Sequence, residues 1–83
     1  MKILYFAWVR QKVGRSEEIV DPPANVNTAG ALVAWLVARG GGYAEALGDP
    51  KRIRVAINQD HASFNEAVGA NDEIALFPPV TGG

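Results

Sequence analysis

The chain has 83 residues, a formal net charge of -1 and 48% hydrophobic residues, which is typical of one small domain with a single core. It has no cysteine and a single histidine, His61, which excludes disulfides, a cysteine nucleophile and a histidine–cysteine metal site. The balanced charge does not favour binding to nucleic acid or an anionic membrane, and the N-terminal apolar run is too short for a membrane span. We therefore expect one cytoplasmic domain over residues 1–83.

Two strands are predicted near the N-terminus. The bulky apolar run over residues 3–9 is typical of a buried strand, and the polar segment 10–16, which contains a glycine, predicts a turn. Residues 17–20 predict a second strand, which the prolines at 22–23 end. The two strands are close enough in sequence to form a hairpin.

A helix follows the second strand. Thr28 is suited to cap its N-terminus, and the apolar spacing that begins there predicts a helix over residues 29–39. Three glycines at 40–42 are expected to end it. Residues 43–47 predict one further helical turn, which the Gly-Asp-Pro sequence at 48–50 stops.

Three more strands are predicted in the C-terminal half, over residues 52–58, 62–64 and 73–77, with a turn at 58–61. The order is then strand, strand, helix, strand, short strand, strand. This order matches the β-grasp, or ubiquitin-like, fold, an α+β architecture in which one main helix packs across one face of a mixed sheet.

The first and last predicted strands carry apolar residues on both faces. Because these strands lie side by side in a β-grasp fold, Phe6, Trp8 and Phe77 are predicted to form one exposed apolar patch. An exposed aromatic side chain forgoes about 1.5–3 kcal/mol of burial, so something is expected to cover the patch. Either loops of the same chain or a partner protein would do so.

The last six residues, 78–83, are interpreted as a flexible C-terminal tail. They are Pro78, Pro79, Val80, Thr81, Gly82 and Gly83. Two prolines hold a chain extended, and two glycines leave no side chain beside the terminal carboxylate. This combination fits insertion into a narrow channel, although a frayed terminus that happens to end in glycine is the simpler alternative.

A terminal carboxylate must be activated before it transfers its acyl group. Attack on the α-phosphate of ATP gives an acyl-adenylate, which a sulfur nucleophile converts to a thiocarboxylate and a lysine amine to an isopeptide bond. No phosphate-cradling loop is predicted here, because the glycines at 40–42 follow a helix instead of opening one. We therefore expect a separate activating enzyme, no permanently bound cofactor and no metal.

The C-terminal sequence Leu-Phe-Pro-Pro-Val-Thr-Gly-Gly, residues 76–83, resembles the end of the small, sulfur-carrying subunit of molybdopterin synthase. Residues 1–14, 55–59 and 71–75 resemble the opening strand, the central strand with its Asn-Gln turn, and the approach to the last strand of the same ubiquitin-like family. The resemblance covers essentially the whole chain.

The resemblance implies a cycle in which an activating enzyme links AMP from ATP transiently to Gly83. A sulfurtransferase then yields the thiocarboxylate, and the tail inserts into the large synthase subunit. Sulfur passes there to cyclic pyranopterin monophosphate to form molybdopterin. The chain is then a sulfur-donating subunit without catalytic side chains of its own, and the expected assembly is a heterotetramer.

The resemblance also implies that Phe6 and Phe77 contact partner proteins. His61 aligns with another such position that is often apolar, so a solvated histidine is the simpler interpretation. The basic groups Arg10, Lys12, Arg15 and Lys51, Arg52, Arg54 either dock a partner or form an ordinary charged surface. 

Three alternative functions stay open at this point. The chain is a sulfur carrier for thiamine, cysteine or thiolated tRNA synthesis, a ubiquitin-like modifier conjugated to lysines, or an interaction domain with an inert tail.

Overall fold

The computed structural model describes residues 1–79 of the chain. Its strands are β1 (Lys2–Tyr5), β2 (Glu17–Ile19), β3 (Arg54–Ile57), β4 (Asp60–Ala62) and β5 (Glu73–Phe77). Its helices are α1 (Ala7–Val13), α2 (Ala29–Val37) and α3 (Gly41–Leu47), with a short 3-10 helix at Pro50–Arg52. The strands form one mixed sheet in the order β2-β1-β5-β3-β4.

The predicted β-grasp fold is confirmed by the strand pairing. β1 and β5 are parallel neighbours at the centre of the sheet, while β2, β3 and β4 each pair antiparallel with a neighbour. β1 and β2 are antiparallel neighbours as predicted, but a helix connects them instead of a turn. The bounds of β5 agree with the predicted last strand.

The core lies between the sheet and the helices. Alternate residues of the two central strands, Ile3 and Tyr5 of β1 and Ile74 and Leu76 of β5, are almost fully buried. The helices, the segment before β3 and β3 itself supply the remaining large buried side chains, which are Val9, Leu32, Leu36, Leu47, Ile53 and Val55. This alternation assigns one face of the sheet to the core and leaves the other face to Leu4, Ala75 and Phe77.

The prediction of a single strand over residues 3–9 is wrong. β1 ends at Tyr5, and Ala7, with φ of 52°, turns the chain out of the sheet into α1. Val9 is fully buried on this helix. The predicted turn at 10–16 is accordingly a helix as far as Val13, because a short apolar run suits either a buried strand or a buried helix.

The predicted cap of the main helix is confirmed. The Thr28 Oγ1 accepts a hydrogen bond from the Ala31 N–H at 3.1 Å, and α2 ends at Val37, two residues earlier than predicted. 

The glycines that follow α2 do more than end it. Gly40, with φ of 77°, reverses the chain and begins α3, which has seven residues instead of one turn. A Cβ atom at Gly42 would overlap the Lys12 carbonyl oxygen, so this glycine lets α1 and α3 pack closely.

The C-terminal half needs two corrections. β3 begins at Arg54, and β4 spans Asp60–Ala62 instead of 62–64, so His61 lies in a strand and not in a turn. The connection is a two-residue turn at Asn58 and Gln59, both with positive φ, of 51° and 74°. 

The hydrogen bonds of Asn58 explain the position of this turn. Its Oδ1 accepts the Glu73 N–H at 3.0 Å and its Nδ2 donates to Asp72 at 2.9 Å, which fixes the turn against the start of β5.

Within residues 1–79, none of the helices has the length and apolar character needed to cross a membrane.

Gln59→Gly is expected to raise the free energy of unfolding by about 0.5–1 kcal/mol, because glycine adopts positive φ without the steric cost that glutamine bears. Urea unfolding monitored by circular dichroism measures the change. Gln11→Gly, the same substitution in the middle of α1, is the matched control and should lower the free energy by about 1 kcal/mol. A loss of stability in both variants would contradict the strain assigned to Gln59.

Candidate functional site: a sheet surface at the start of the C-terminal tail

The sheet face turned away from the core carries a row of small and apolar residues. Leu4 pairs with Ala75, Ala75 with Ala56, and Ala56 with His61, so the row crosses β1, β5, β3 and β4. Because partners in a register share a face, all four side chains lie on the same side of the sheet.

Two aromatic side chains, Phe6 and Phe77, extend this row toward the end of β5. Together with the His61 ring of the row, we call them the aromatic surface. The Phe6 N–H donates to the Leu76 carbonyl oxygen at 3.1 Å, which continues the β1–β5 pairing and sets Phe6 beside Phe77. The His61 ring meets the Phe77 ring edge-on, with centroids 5.4 Å apart. The structure therefore brings Phe6 and Phe77, for which the resemblance implied partner contact, together with His61, for which a solvated histidine was the simpler interpretation.

Trp8 is not part of this surface, contrary to the prediction. It lies on α1, packs against the hydrophobic core and is half-buried. The guanidinium group of Arg52 covers its ring at 5.0 Å from the centroid. Trp8 was expected in the patch because a single strand over residues 3–9 would place its side chain on the same face as Phe6.

Phe6 is 46% exposed. Loops within residues 1–79 therefore do not cover the aromatic surface, which excludes that alternative for the part of the chain that the structure describes. An exposed phenylalanine beside a half-buried one is a feature of surfaces that bind a partner protein.

The predicted tail starts at this surface. β5 ends at Phe77, and Pro78 and Pro79 follow it as half-buried residues without regular structure. The other predicted tail and carrier residues, Val80, Thr81, Gly82 and Gly83, lie outside the described residues.

The model of the ThiS family matches residues 3–83 of the chain. The chain belongs to the ThiS family. The molybdopterin synthase sulfur carrier subunits of Escherichia coli (strain K12) and Haemophilus influenzae are 40% and 37% identical to it over 83 residues, which is 100% of this chain and 99% of each relative. The family resemblance predicted from the sequence is thus confirmed.

A solved structure with clear sequence similarity shares the fold of this ThiS family member. The crystal structure of small archaeal modifier protein 1 from Haloferax volcanii has a TM-score of 0.73 and 34% identity, and the match covers 96% of this chain and 97% of that one. The fold and the sequence therefore point to the same group of proteins.

Residues 1–79 of this ThiS family member contain no group of three or more histidine, aspartate or glutamate side chains placed to hold a metal ion. The described part of the aromatic surface is made of two phenylalanine rings and the His61 ring.

Sequence reasoning missed a partly buried polar network centred on Glu18 of β2. Its carboxylate accepts hydrogen bonds from the Tyr5 hydroxyl at 2.7 Å, the Tyr43 hydroxyl at 2.9 Å, Arg15 at 2.8 Å and Arg39 at 3.1 Å. The network joins the edge of the sheet to the helices. Glu18 pairs with the buried residue Ile3, so its side chain lies on the core side of the sheet. Strand alternation is the sequence signal that would have revealed this orientation.

The charge of Glu18 is stabilised by this network. Burial raises the pKa of the carboxyl group, but the hydrogen bonds from Tyr5 and Tyr43 and the charges of Arg39 and Arg15 outweigh it, so the pKa lies below its ordinary value. Burial, reinforced by the bond to Glu18, raises the pKa of Tyr5, which stays a neutral donor. Arg39 also stacks over the Trp35 ring, at 4.7 Å from the centroid.

Glu18→Gln is expected to lower the free energy of unfolding at neutral pH by about 2 kcal/mol, since the hydrogen bonds to its charged carboxylate are lost. The folded pKa of Glu18 is depressed, so its contribution exists above the ordinary pKa and disappears as pH falls through the folded value. The variant should therefore lose less stability on acidification than the wild type, as measured by urea unfolding over a pH series.

Glu17→Gln is the matched control for Glu18→Gln. Its exposed carboxylate pairs only with Lys2 at 3.5 Å, so its loss should change the free energy of unfolding by less than about 0.5 kcal/mol. Equal acid sensitivity in the wild type and Glu18→Gln would refute the role assigned to the network.

Proposed function

We propose that this chain is the sulfur carrier subunit of molybdopterin synthase. The observation that carries the proposal is the 40% identity to the Escherichia coli sulfur carrier subunit over the full chain, which includes the Gly-Gly terminus. The aromatic surface supports it, because an exposed apolar surface lies where the tail leaves the sheet.

In the proposed cycle, an oxygen of the Gly83 carboxylate attacks the α-phosphorus of ATP bound to an activating enzyme. Pyrophosphate leaves, and the product is a mixed anhydride of Gly83 and AMP. Hydrosulfide delivered by a sulfurtransferase then attacks the glycyl carbonyl carbon and displaces AMP, which gives the thiocarboxylate. The absence of cysteine from the chain fits this scheme, since sulfur is carried on the terminus itself.

The tail that carries the thiocarboxylate then enters the large subunit of the synthase, where its sulfur displaces an oxygen of cyclic pyranopterin monophosphate. Water then cleaves the bond between that sulfur and the Gly83 acyl carbon, so that the product keeps the sulfur and Gly83 returns to a carboxylate. Gly83 is therefore a carried substrate, and the side chains that perform the chemistry belong to the partner proteins. The contribution of this chain is to bind each partner in turn and present the tail. Phe6 and Phe77, with His61 at the margin, are the residues proposed to make that contact.

One observation favours a second function. The Haloferax volcanii relative is named a small archaeal modifier protein and is 34% identical over 82 residues. The same adenylated glycine would then accept a lysine amine, and the product would be an isopeptide bond instead of a thiocarboxylate.

Deletion of Gly82 and Gly83 is expected to abolish thiocarboxylate formation, because the acyl group that receives sulfur is removed. The wild type and the deletion variant are incubated with the activating enzyme, ATP and a sulfurtransferase, and intact mass is measured. The wild type should gain the mass of one sulfur-for-oxygen exchange. Thermal unfolding of the variant is the control, and it should match the wild type because the deletion removes no side chain.

A second measurement separates the two functions. Lysines that carry the C-terminal peptide of residues 55–83, detected after tryptic cleavage at Arg54 of protein from cells, would favour the modifier. A wild-type chain that acquires neither sulfur nor a lysine conjugate would overturn the sulfur carrier proposal.

Phe77→Ala is expected to weaken binding to the large subunit by about tenfold or more, since a central aromatic contact is lost. Isothermal titration with the purified large subunit measures the affinity. Ile19→Ala is the control, because Ile19 is 74% exposed at the other end of the sheet and should leave the affinity unchanged. An unaltered affinity of Phe77→Ala would remove this residue from the interface.

A further inference from the structure

The strand directions define an end of the sheet from which the tail departs. β5 ends at Phe77, the parallel strand β1 ends at Tyr5, and the antiparallel strand β3 begins at Arg54, opposite Phe77. We call this the exit end. 

Four exposed basic side chains lie at or beside the exit end. Arg54 is the first residue of β3, Lys51 and Arg52 belong to the 3-10 helix just before it, and Arg10 lies on α1, which begins directly after β1. The stacking of Arg52 on Trp8 ties the two groups together. We call Arg10, Lys51, Arg52 and Arg54 the basic collar.

The basic collar is not neutralised by the acids of residues 1–79. Lys2, Arg15 and Arg39 form ion pairs with glutamates, at 3.5, 2.8 and 3.1 Å, whereas no member of the collar forms one with a described aspartate or glutamate. The acid that precedes Lys51 in the sequence is Asp49. Its carboxylate accepts a hydrogen bond from the Lys51 backbone N–H and so caps the 3-10 helix.

The opposite end of the sheet is acidic. Glu73 is the first residue of β5, Asp72 precedes it, and Asp60 lies at the start of β4, opposite Ile57. Lys2, opposite Glu73, is also at this end but forms an ion pair with Glu17. Charge is therefore distributed unevenly along the strands, with the collar cations at the exit end. This polarity is not visible in the sequence, where the basic groups are separated by about half the chain.

Chain geometry limits what the collar can reach. Six residues follow Phe77, and an extended residue spans about 3.3–3.6 Å, so Gly83 of an inserted tail lies up to about 20 Å from the collar. The collar would then face the surface around the opening that admits the tail, and not the reacting carbonyl group.

We propose that the basic collar recognises an acidic rim around the tail entrance of the large subunit and steers the tail into it. The inference rests on the proposed function and identifies the charge of the partner surface that this function requires. The collar borders the aromatic surface through Arg54, the residue opposite Phe77, so apolar and charged contacts form one continuous interface. Exposed charges of this kind accelerate association more than they increase affinity.

A nucleic-acid partner is disfavoured by the same observations. Four cations neutralise few phosphates, and the acidic end of a chain with net negative charge opposes a polyanion. A protein surface with a local acidic rim fits both the small number of cations in the collar and the net negative charge of the chain.

Association rates of the full chain with the purified large subunit, measured by stopped flow at several salt concentrations, test the inference. Arg54→Gln should lower the association rate constant at low salt about threefold, and the double variant Arg10→Gln/Arg54→Gln about tenfold, with dissociation changed less than about twofold. The difference should vanish at high salt because the interaction is screened. Arg54→Lys, which keeps the charge, should retain the wild-type rate.

Lys2→Gln is the matched control, since Lys2 is the first residue of a central strand as Arg54 is, but at the other end of the sheet. An equal slowing by Lys2→Gln would show an effect of net charge and overturn the collar. Unchanged rates in the double variant, or wild-type binding to a short oligonucleotide that the double variant loses, would also overturn it.

The intact-mass assay keeps the two proposals distinguishable. If the wild type acquires sulfur and binds the large subunit while the collar variants associate at the wild-type rate, only the collar inference fails. If the wild type neither acquires sulfur nor binds, the proposed function fails and the collar inference fails with it.

Discussion

The parallel pairing of β1 with β5 is the constraint on which the rest of this structure depends. Its register, from Lys2 opposite Glu73 to Tyr5 opposite Leu76, sets the beginning of the chain beside its last strand. A parallel pair cannot be joined by a tight turn, so all the helices and the other strands lie in the connection. The pairing also brings Phe6 next to Phe77, where the tail leaves the sheet.

The two faces of this central pair serve different purposes. Ile74 and Leu76 are buried against the helices and stabilise the domain, while Ala75 and Phe77, which alternate with them, face away from the core. The same two strands therefore supply both the core and the exposed surface. The Glu18 network belongs to the scaffold, since it holds the helices against the edge of the sheet and lies on the core side.

Strong local signals in the sequence predicted much of this fold, and their absence explains the errors. Alternation and the two prolines that follow defined β5, and the Thr28 hydroxyl marked the start of α2. The helix α1 was missed because seven consecutive apolar residues have no period that separates a strand from a helix. The Glu18 network was missed because its partners are up to 25 residues away in sequence and meet only when the helices pack.

The sequence by itself determined the order of the five strands and the main helix, the lack of cysteine and the Gly-Gly sequence at residues 82–83, because these depend on residue types and local spacing. Only the tertiary structure decided that His61 contacts Phe77, that Trp8 belongs to a helix, and that separated basic residues gather where the tail departs. The reason is that strand register and direction, which no local pattern specifies, select the residues that share a face and an end of the sheet. Residue types therefore identified the predicted tail, and strand topology decided which residues lie beside its start.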